Sequence, residues 1–342
     1  MKFGIFDQND ASGRPLHVQY EQRLELAEMY DQNGFHCYHL SEHHATPLSM
    51  GPSQSVFLSA VAQRTRKLKL CPLVYLLPIH HPVRLAEEIC MLDQLSNGRF
   101  EFGVGRGVNP HELEALGFAP ATAVGAYAEA YEILMKYFSS DVLNYPGKFW
   151  NIQNLPVTLK PYQTPHPPVW YAVATADSAV WPAQNRVNII CGGPEIKVRE
   201  ISDRYRQEAS QGQTADQVHP LIGVWRYVVV ADTDEAAMEI AEKAWPSFYD
   251  NFYKLWRMHG TEPERMKLSP HYAGMVASGH AVAGSPETVA HALTQKARAG
   301  NLNYLVSQFM FGNLPHEHAK RSVELFSRKV MPAIQTASQA WL

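Results

Sequence analysis

The sequence predicts one α/β barrel of eight parallel strands, the (β/α)8 or TIM barrel, and three observations support this prediction. Short apolar runs alternate with amphipathic helical stretches along the whole chain, an order typical of a parallel sheet. The alternation gives eight strand-and-helix units, the number that closes a barrel. The length of 342 residues fits one such domain, predicted to span residues 1–342, with insertions. A doubly wound open sheet has the same order of elements and is the alternative.

Each strand is predicted from an apolar run that ends at a turn residue or a polar segment. Pro78 ends the third strand, and Asn97-Gly98 turns the chain into the fourth. The eight runs are 3–6, 37–41, 69–77, 100–104, 169–173, 187–190, 221–230 and 304–309. In a barrel the carboxyl ends of such runs meet at one face, where the active site is expected.

The helices are predicted from apolar residues at helical spacing together with their capping residues. Ser53 is a predicted N-cap, and Gly34 and Gly300 follow the ends of two helices. The predicted helices are 20–33, 53–65, 82–95, 127–138, 195–210, 235–259, 285–299 and 315–330, with a further one from Asp177. Helices of this kind pack one apolar face against a barrel.

Two stretches depart from the alternation and are predicted insertions, one after strand four and one after strand seven. Residues 141–168 are rich in proline, and we expect a short hairpin around Pro146-Gly147. Residues 260–284 follow the long helix after strand seven and are predicted to form a mobile loop. Such a loop is a candidate lid over the active site.

Composition and charge exclude several classes of protein. The formal net charge is −3 with no basic block, so neither nucleic acid nor an anionic membrane is a predicted partner. The four cysteines are scattered, which argues against a disulfide framework or a zinc site. No segment approaches the roughly 20 apolar residues of a membrane span. The chain starts directly in a strand, and we expect a cytoplasmic protein.

The second predicted strand ends in a cluster of ionisable residues, Glu42, His43 and His44. This cluster is typical of a general base with an orienting carboxylate, although a polar strand end looks the same. A metal site would have to combine these histidines with His36 and His39. Alternate residues of a strand face opposite sides, so the four histidines do not converge, and no metal is predicted.

The ends of strands four and five carry residues suited to an anion. The glycines within 103–107 miss the spacing of a dinucleotide-binding loop, but they flank Arg106, which can bind phosphate or form a surface ion pair. Thr175 and Ser178 lie where the fifth strand gives way to a helix, as an anion site or as simple helix caps. Together these residues indicate a cofactor with a single terminal phosphate.

Several motifs carry a family resemblance that spans nearly the whole chain. The most specific lie between Leu70 and Gly107, and the Glu42-His43-His44 cluster, Trp181 and the 284–287 segment also fit. The specific motifs are Leu77-Pro78, His81-Pro82-Val83-Arg84, Leu92-Asp93-Gln94-Leu95-Ser96-Asn97-Gly98-Arg99 and Phe102-Gly103-Val104-Gly105-Arg106-Gly107. With these motifs the chain resembles the bacterial-luciferase-like flavin-dependent monooxygenases.

The resemblance implies a reaction, a cofactor and a partner. Reduced flavin mononucleotide (FMN) would act as cosubstrate, and dioxygen would be activated to oxygenate a small organic molecule. A separate reductase would supply the reduced flavin, because the sequence has no nicotinamide-binding fingerprint. Two other functions stay open on the same fold: hydride transfer with a deazaflavin, and flavin binding without catalysis.

The resemblance also assigns roles to residues of this chain. His43 matches the catalytic histidine of the family, and Glu42 matches its neighbour. The flavin ring is expected against the third strand, where the family has a non-proline cis peptide bond, here Leu73–Val74. The residues expected at the flavin phosphate are Arg106, Thr175 and Ser178, with the backbone of Ala174 nearby.

An apolar wall is expected around the flavin, to keep water out and to contact the substrate. Plain core packing would give the same sequence pattern. The family usually dimerises through its early barrel helices, so we expect a homodimer formed by the helices at 53–65 and 82–95. The side chains predicted to form the wall are Phe6, Leu73, Tyr75 and Phe309.

Overall fold

The computed structural model describes residues 1–210, 220–264 and 266–341. Ten of its strands belong to one sheet, and the other two form a separate antiparallel hairpin. The strands are β1 (Lys2–Asp7), β2 (Cys37–Leu40), β3 (Lys69–Pro72), β4 (Tyr75–Leu76), β5 (Phe102–Gly105), β6 (Val142–Pro146), β7 (Asn151–Pro156), β8 (Val169–Val173), β9 (Asn188–Cys191), β10 (Ile222–Val230), β11 (Ala281–Gly284) and β12 (Tyr304–Gln308).

The main sheet curls into the predicted parallel barrel. Its order is β3-β2-β1-β12-β10-β9-β8-β5-β4, and β3 and β4 are consecutive halves of the third barrel strand. A parallel bridge between Leu70 and Phe100 brings the two ends of the sheet together. The barrel prediction is therefore confirmed, and the open sheet is not what this chain forms.

The helices surround the barrel and agree with the predicted ones to within a few residues at most ends. Ser285 caps its helix by accepting a hydrogen bond from the Thr288 N–H, whereas the Ser53 side chain makes no capping bond within the described residues. The helices are α1 (Leu16–Gln32), α2 (Gln54–Arg64), α3 (Pro82–Leu95), α4 (Pro110–Ala115), α5 (Ala123–Ser139), α6 (Val180–Gln184), α7 (Glu195–Ala209), α8 (Asp234–Met258), α9 (Tyr272–Ala277), α10 (Pro286–Ala299), α11 (His316–Leu325) and α12 (Met331–Ser338).

The two irregular stretches differ in how well they were predicted. The hairpin β6–β7 forms around Pro146-Gly147 as expected. The prediction of a mobile loop over 260–284 is wrong for the second half of that segment, because α9 and β11 form there and β11 pairs with β10. The fully buried Tyr272 hydroxyl donates to the Val282 carbonyl at 3.2 Å. This half of the segment is therefore part of the core and does not act as a lid.

The hydrophobic core has an outer layer between the barrel and the helices and a smaller cluster inside the barrel. The inner cluster arises because alternate side chains of each strand point inward. Phe6, Val74 and Trp225 pack on top of this cluster and are only partly buried. The inner cluster consists of Cys37, Cys71, Leu73, Trp170, Ile190, Leu221, Tyr304 and Val306.

Two further observations bear on the predicted exclusions. Across residues 1–210, 220–264 and 266–341, no helix is both long and apolar enough to cross a membrane. The same residues contain no group of three or more His, Cys, Asp or Glu side chains able to hold a metal ion. His39 packs inside the barrel with its Nε2 atom 2.8 Å from the Tyr304 hydroxyl, and burial lowers its pKa to about 3.

Candidate active site

His43 is held by a carboxylate that the sequence did not reveal. Its Nδ1 atom lies 3.0 Å from Oε1 of Glu112, whose side chain is 3% exposed. Glu112 belongs to α4, which begins where the Asn109 side chain accepts a hydrogen bond from the His111 N–H. Because a carboxylate accepts hydrogen bonds, Nδ1 of His43 is the donor, and Nε2 is left free to exchange a proton.

The pKa of His43 is raised above its ordinary value. Burial by itself would lower the pKa, but the charge and hydrogen bond of Glu112, together with the charge of Glu42, outweigh that effect. The imidazole is 18% exposed, so it keeps a path to solvent or to a ligand. A basic histidine with one nitrogen fixed and the other free is suited to proton transfer.

Glu42 does not orient His43, and this corrects the sequence interpretation. Its Oε1 atom accepts hydrogen bonds from Nε2 of His44 at 2.8 Å and from Nε2 of His80 at 2.7 Å, and its Oε2 atom accepts from the Leu76 N–H at 2.7 Å. Burial would raise the pKa of Glu42, but these bonds hold it below the ordinary value. Glu42 thus ties the end of β2 to β4.

The peptide bond between Leu73 and Val74 is cis, as the resemblance implied. Nε2 of Gln54, on α2, donates to the Val74 carbonyl at 3.2 Å and to the Leu40 carbonyl at 3.1 Å. On the other side, a Cβ atom at Gly105 would lie only 2.4 Å from Cγ2 of Val74. The absence of a side chain at Gly105 therefore lets β5 pass close to this peptide.

The residues predicted to bind phosphate lie at the ends of two neighbouring strands. Arg106 follows β5, and Thr175 and Ser178 follow β8, which pairs with β5 in parallel. Arg106 is exposed and has no hydrogen bond or ion pair with any residue the structure describes. The Thr175 side chain accepts from the Ser178 N–H at 3.3 Å, as in a helix cap, and both it and the neighbouring Ala174 are exposed.

Of the predicted apolar wall, Phe6 and Leu73 lie inside the barrel. Tyr75 and Phe309 do not, which corrects that part of the prediction. The Tyr75 hydroxyl is 2.8 Å from the Ser55 hydroxyl on α2, and the Phe309 ring packs 5.0 Å from Phe326 in the outer layer. Both side chains are 1% exposed.

Trp225 is an inner residue that the sequence analysis missed. Its ring lies 5.0 Å from that of Phe6, and its Nε1 donates to Oε1 of Gln308 at 3.2 Å. A signal for it was available, because alternation along the strand from 222 to 230 puts Gly223 and Trp225 on one face. For Glu112 no local signal exists, since 69 residues separate it from His43.

Comparison with known proteins places this chain in one family. The family model described as luciferase-like monooxygenase matches residues 1–302. The chain is 42% identical to protein y4wF of Sinorhizobium fredii over 92% of each chain. It is 26% identical to the oxygenase component of the flavin-dependent trigonelline monooxygenase of Acinetobacter baylyi, over 97% of this chain and 95% of that one.

Solved structures show the same fold. Monooxygenase RslO1 from Streptomyces bottropensis superposes with a TM-score of 0.86 at 23% identity, over 97% of this chain and 99% of the other. The oxygenating constituent of 3,6-diketocamphane monooxygenase from Pseudomonas putida, solved with FMN, gives 0.81 at 21% identity over 97% and 98%. The chain belongs to the luciferase-like monooxygenase family, and it is an oxidoreductase.

Proposed function

We propose that this protein is the oxygenase component of a two-component monooxygenase that uses reduced FMN and dioxygen to oxygenate a small organic substrate. One observation carries the proposal. Four groups follow the carboxyl ends of barrel strands, where barrel enzymes bind their ligands: Arg106, which has no partner among the described residues, the Thr175 and Ser178 hydroxyls, and the Glu112-bound His43.

The residues present fit a flavin with one phosphate. An exposed arginine that pairs with no other described residue is suited to a phosphate, and the Thr175 and Ser178 hydroxyls add polar contacts at the end of the adjacent strand. Ala174 is exposed and presents only a methyl group, so a ligand can approach the backbone there. The flavin, when bound, supplies the redox chemistry and the activation of oxygen.

The roles proposed for the protein are binding, enclosure and proton transfer. Leu73 and Val74 would support the flavin ring, and Phe6 and Trp225 would shield it from water. His43 would exchange a proton at Nε2 while Glu112 fixes its Nδ1–H. Glu42, which we predicted to be catalytic, would act only through the positions of β2 and β4.

The proposal includes two partners and a compartment. A separate reductase would supply the flavin, in keeping with the relative from Acinetobacter baylyi whose name designates an oxygenase component. A second copy of the chain would bind through α2 and α3, supported by the exposed side chains of Val56 (70%), Met91 (53%) and Leu95 (48%). The four described cysteines are all buried and free, which suits a reducing cytosol.

The proposal is tested by anaerobic titration of the protein with reduced FMN, compared with a reduced deazaflavin. We expect reduced FMN to bind and the deazaflavin to bind at least tenfold more weakly. Arg106→Ala should weaken FMN binding about tenfold or more, as expected for the loss of a charge-assisted bond. Arg298→Ala is the matched control, because Arg298 is an exposed arginine on α10.

Three outcomes would contradict the proposal or part of it. Preferential binding of the deazaflavin would favour the hydride-transfer function instead. Equal affinity of the Arg106→Ala and Arg298→Ala variants for reduced FMN would remove Arg106 from the phosphate site. Binding of reduced FMN without oxygenation of any compound in a substrate screen would favour the function of a flavin-binding protein.

A further inference from the structure

Two polar side chains are buried near the mouth of the barrel without a protein partner. Gln8 is 5% exposed and Ser41 is 3% exposed. Neither Oε1 of Gln8 nor Oγ of Ser41 has a hydrogen-bond partner in the part of the chain that the structure describes. Buried polar atoms are nearly always paired, so two such atoms call for a partner outside the chain.

Strand alternation places both side chains on the inner face. Phe6 and His39 are partners in the β1–β2 register, and both point inward, Phe6 towards Trp225 and His39 towards Tyr304. The next residues point outward: Asp7 accepts from the Tyr38 hydroxyl, and Leu40 joins the outer core. Gln8 and Ser41 are the next inward pair, one step nearer the mouth.

The strand pairing continues far enough to keep this pair together. The Ser41 N–H donates to the Asp7 carbonyl at 3.0 Å, one residue beyond the last partners in the β1–β2 register. Two residues after Ser41 comes His43, which also follows the end of β2. The unpaired oxygens thus belong to the residues that directly follow the neighbouring strands β1 and β2, and Ser41 precedes the proposed proton-transfer residue by two positions.

Phe6, two residues before Gln8, belongs to an aromatic pair inside the barrel. The Phe6 and Trp225 rings are 5.0 Å apart with their planes tilted by 56°, and both are only partly buried. The Gln308 side chain fixes the Trp225 indole through its N–H. Rings held in this way offer edges and faces to a third ring.

We propose that Gln8 and Ser41 select an aromatic substrate that carries an O–H or N–H donor. The substrate ring would contact Phe6 and Trp225, and its donor would bond to Oε1 of Gln8 and Oγ of Ser41. Both oxygens can accept a hydrogen bond, which is why a donor group is the complementary partner. The proposal rests on the proposed function, since it gives that enzyme's substrate class.

The test compares two probes that differ only in the donor, 2-naphthol and 2-methylnaphthalene, by equilibrium dialysis against the full chain under anaerobic conditions with reduced FMN. We expect the unmodified protein to bind 2-naphthol at least tenfold more tightly. Ser41→Ala and Gln8→Leu should each cut that preference to about threefold or less and leave the affinity for 2-methylnaphthalene unchanged. A site built to hydrogen-bond a donor discriminates in this way.

Ser55→Ala is the matched control, because the Ser55 hydroxyl lies outside the barrel against Tyr75. It should keep the full preference for 2-naphthol. Four results would each overturn the proposal: equal affinity of the unmodified protein for both probes, no binding of either probe, variants that lose both probes equally, and variants that keep the preference because water alone fills the space. Titration with reduced FMN separates this failure from that of the proposed function, since the Gln8→Leu and Ser41→Ala variants should bind the flavin as before.

Discussion

Nδ1 of His43 and Oε1 of Glu112 lie 3.0 Å apart, which joins the end of the second barrel strand to the short helix α4. The pair sets both the orientation and the basicity of the histidine, since the carboxylate accepts a hydrogen bond from Nδ1–H and its charge raises the pKa of the ring. The same geometry makes α4 part of the candidate active site.

Glu112→Gln is expected to lower the pKa of His43. The carboxylate raises this pKa against the effect of burial, and a neutral amide cannot replace its charge. The measurement is an NMR titration of the His43 ring, with Glu114→Gln, on the exposed side of α4, as the control. A His43 pKa that is the same in both variants would contradict the assignment of Glu112.

Glu42→Gln is expected to destabilise the fold in a pH-dependent way. The pKa of Glu42 is lowered from 4.5, so its contribution is lost as the pH falls through its folded-state pKa. The pKa of His80 is raised from 6.5, so its contribution is lost as the pH rises through its own. The loss should therefore be largest between these limits, at about 2 kcal/mol for bonds to a charged group.

Urea unfolding at several pH values between 4 and 9 measures this difference. The difference in the free energy of unfolding between Glu42→Gln and the unmodified protein should become smaller at the alkaline end, where the contribution of His80 is lost. A difference that does not vary with pH would show that His80 is not the charged partner of Glu42.

Gly105→Ala is expected to disturb the Leu73–Val74 segment, because the new Cβ would lie 2.4 Å from Cγ2 of Val74. Overpacking of this kind costs about 1–3 kcal/mol, and it should also weaken binding of reduced FMN. Adding Val74→Ala removes the clashing methyl group and should restore much of the lost stability. Additive losses in the double variant would rule out the contact as the cause.

Tyr272→Ala is expected to lower the free energy of unfolding by about 3–5 kcal/mol, the range for deleting a large buried ring. The Tyr272 ring stacks on Phe311 with centroids 5.6 Å apart and packs against Trp245. Tyr162→Ala, at a 58% exposed position, is the control and should change little. A small effect at Tyr272 would revive the mobile-loop interpretation of residues 260–284.

The fold was predictable because its signals are local. Each barrel strand is a short apolar run, and the run at 169–173 was predicted with its observed ends. The strand predicted over 69–77 was only partly right, since it breaks at the cis Leu73–Val74 peptide and leaves Tyr75 in the outer layer. Regular alternation does not continue through such a break, so the side on which Tyr75 lies could not be read from its place in the run.

The site was harder to predict because its contacts are not local. The sequence pointed to His43 and Arg106, which stand at strand ends, but it gave Glu42 the role that Glu112 has. Strand alternation could have corrected the prediction for Phe309. Tyr304, Val306 and Gln308 share the inner face, so the next residue, Phe309, faces outward. No pattern in the sequence pairs Glu112 with His43.

Glu112 belongs to the short helix α4 and not to a barrel strand, and this has a consequence for how the acid–base chemistry of this enzyme can change. The histidine follows the end of a barrel strand, whereas the group that raises its pKa belongs to a helix of six residues outside the barrel strands. Substitution of Glu112 in that helix is therefore expected to change the proton affinity of His43 without changing any side chain of the barrel strands. The carboxylate that tunes the histidine and the barrel that supports the site are separate parts of this protein. A designer could therefore exchange Glu112 without rebuilding the barrel.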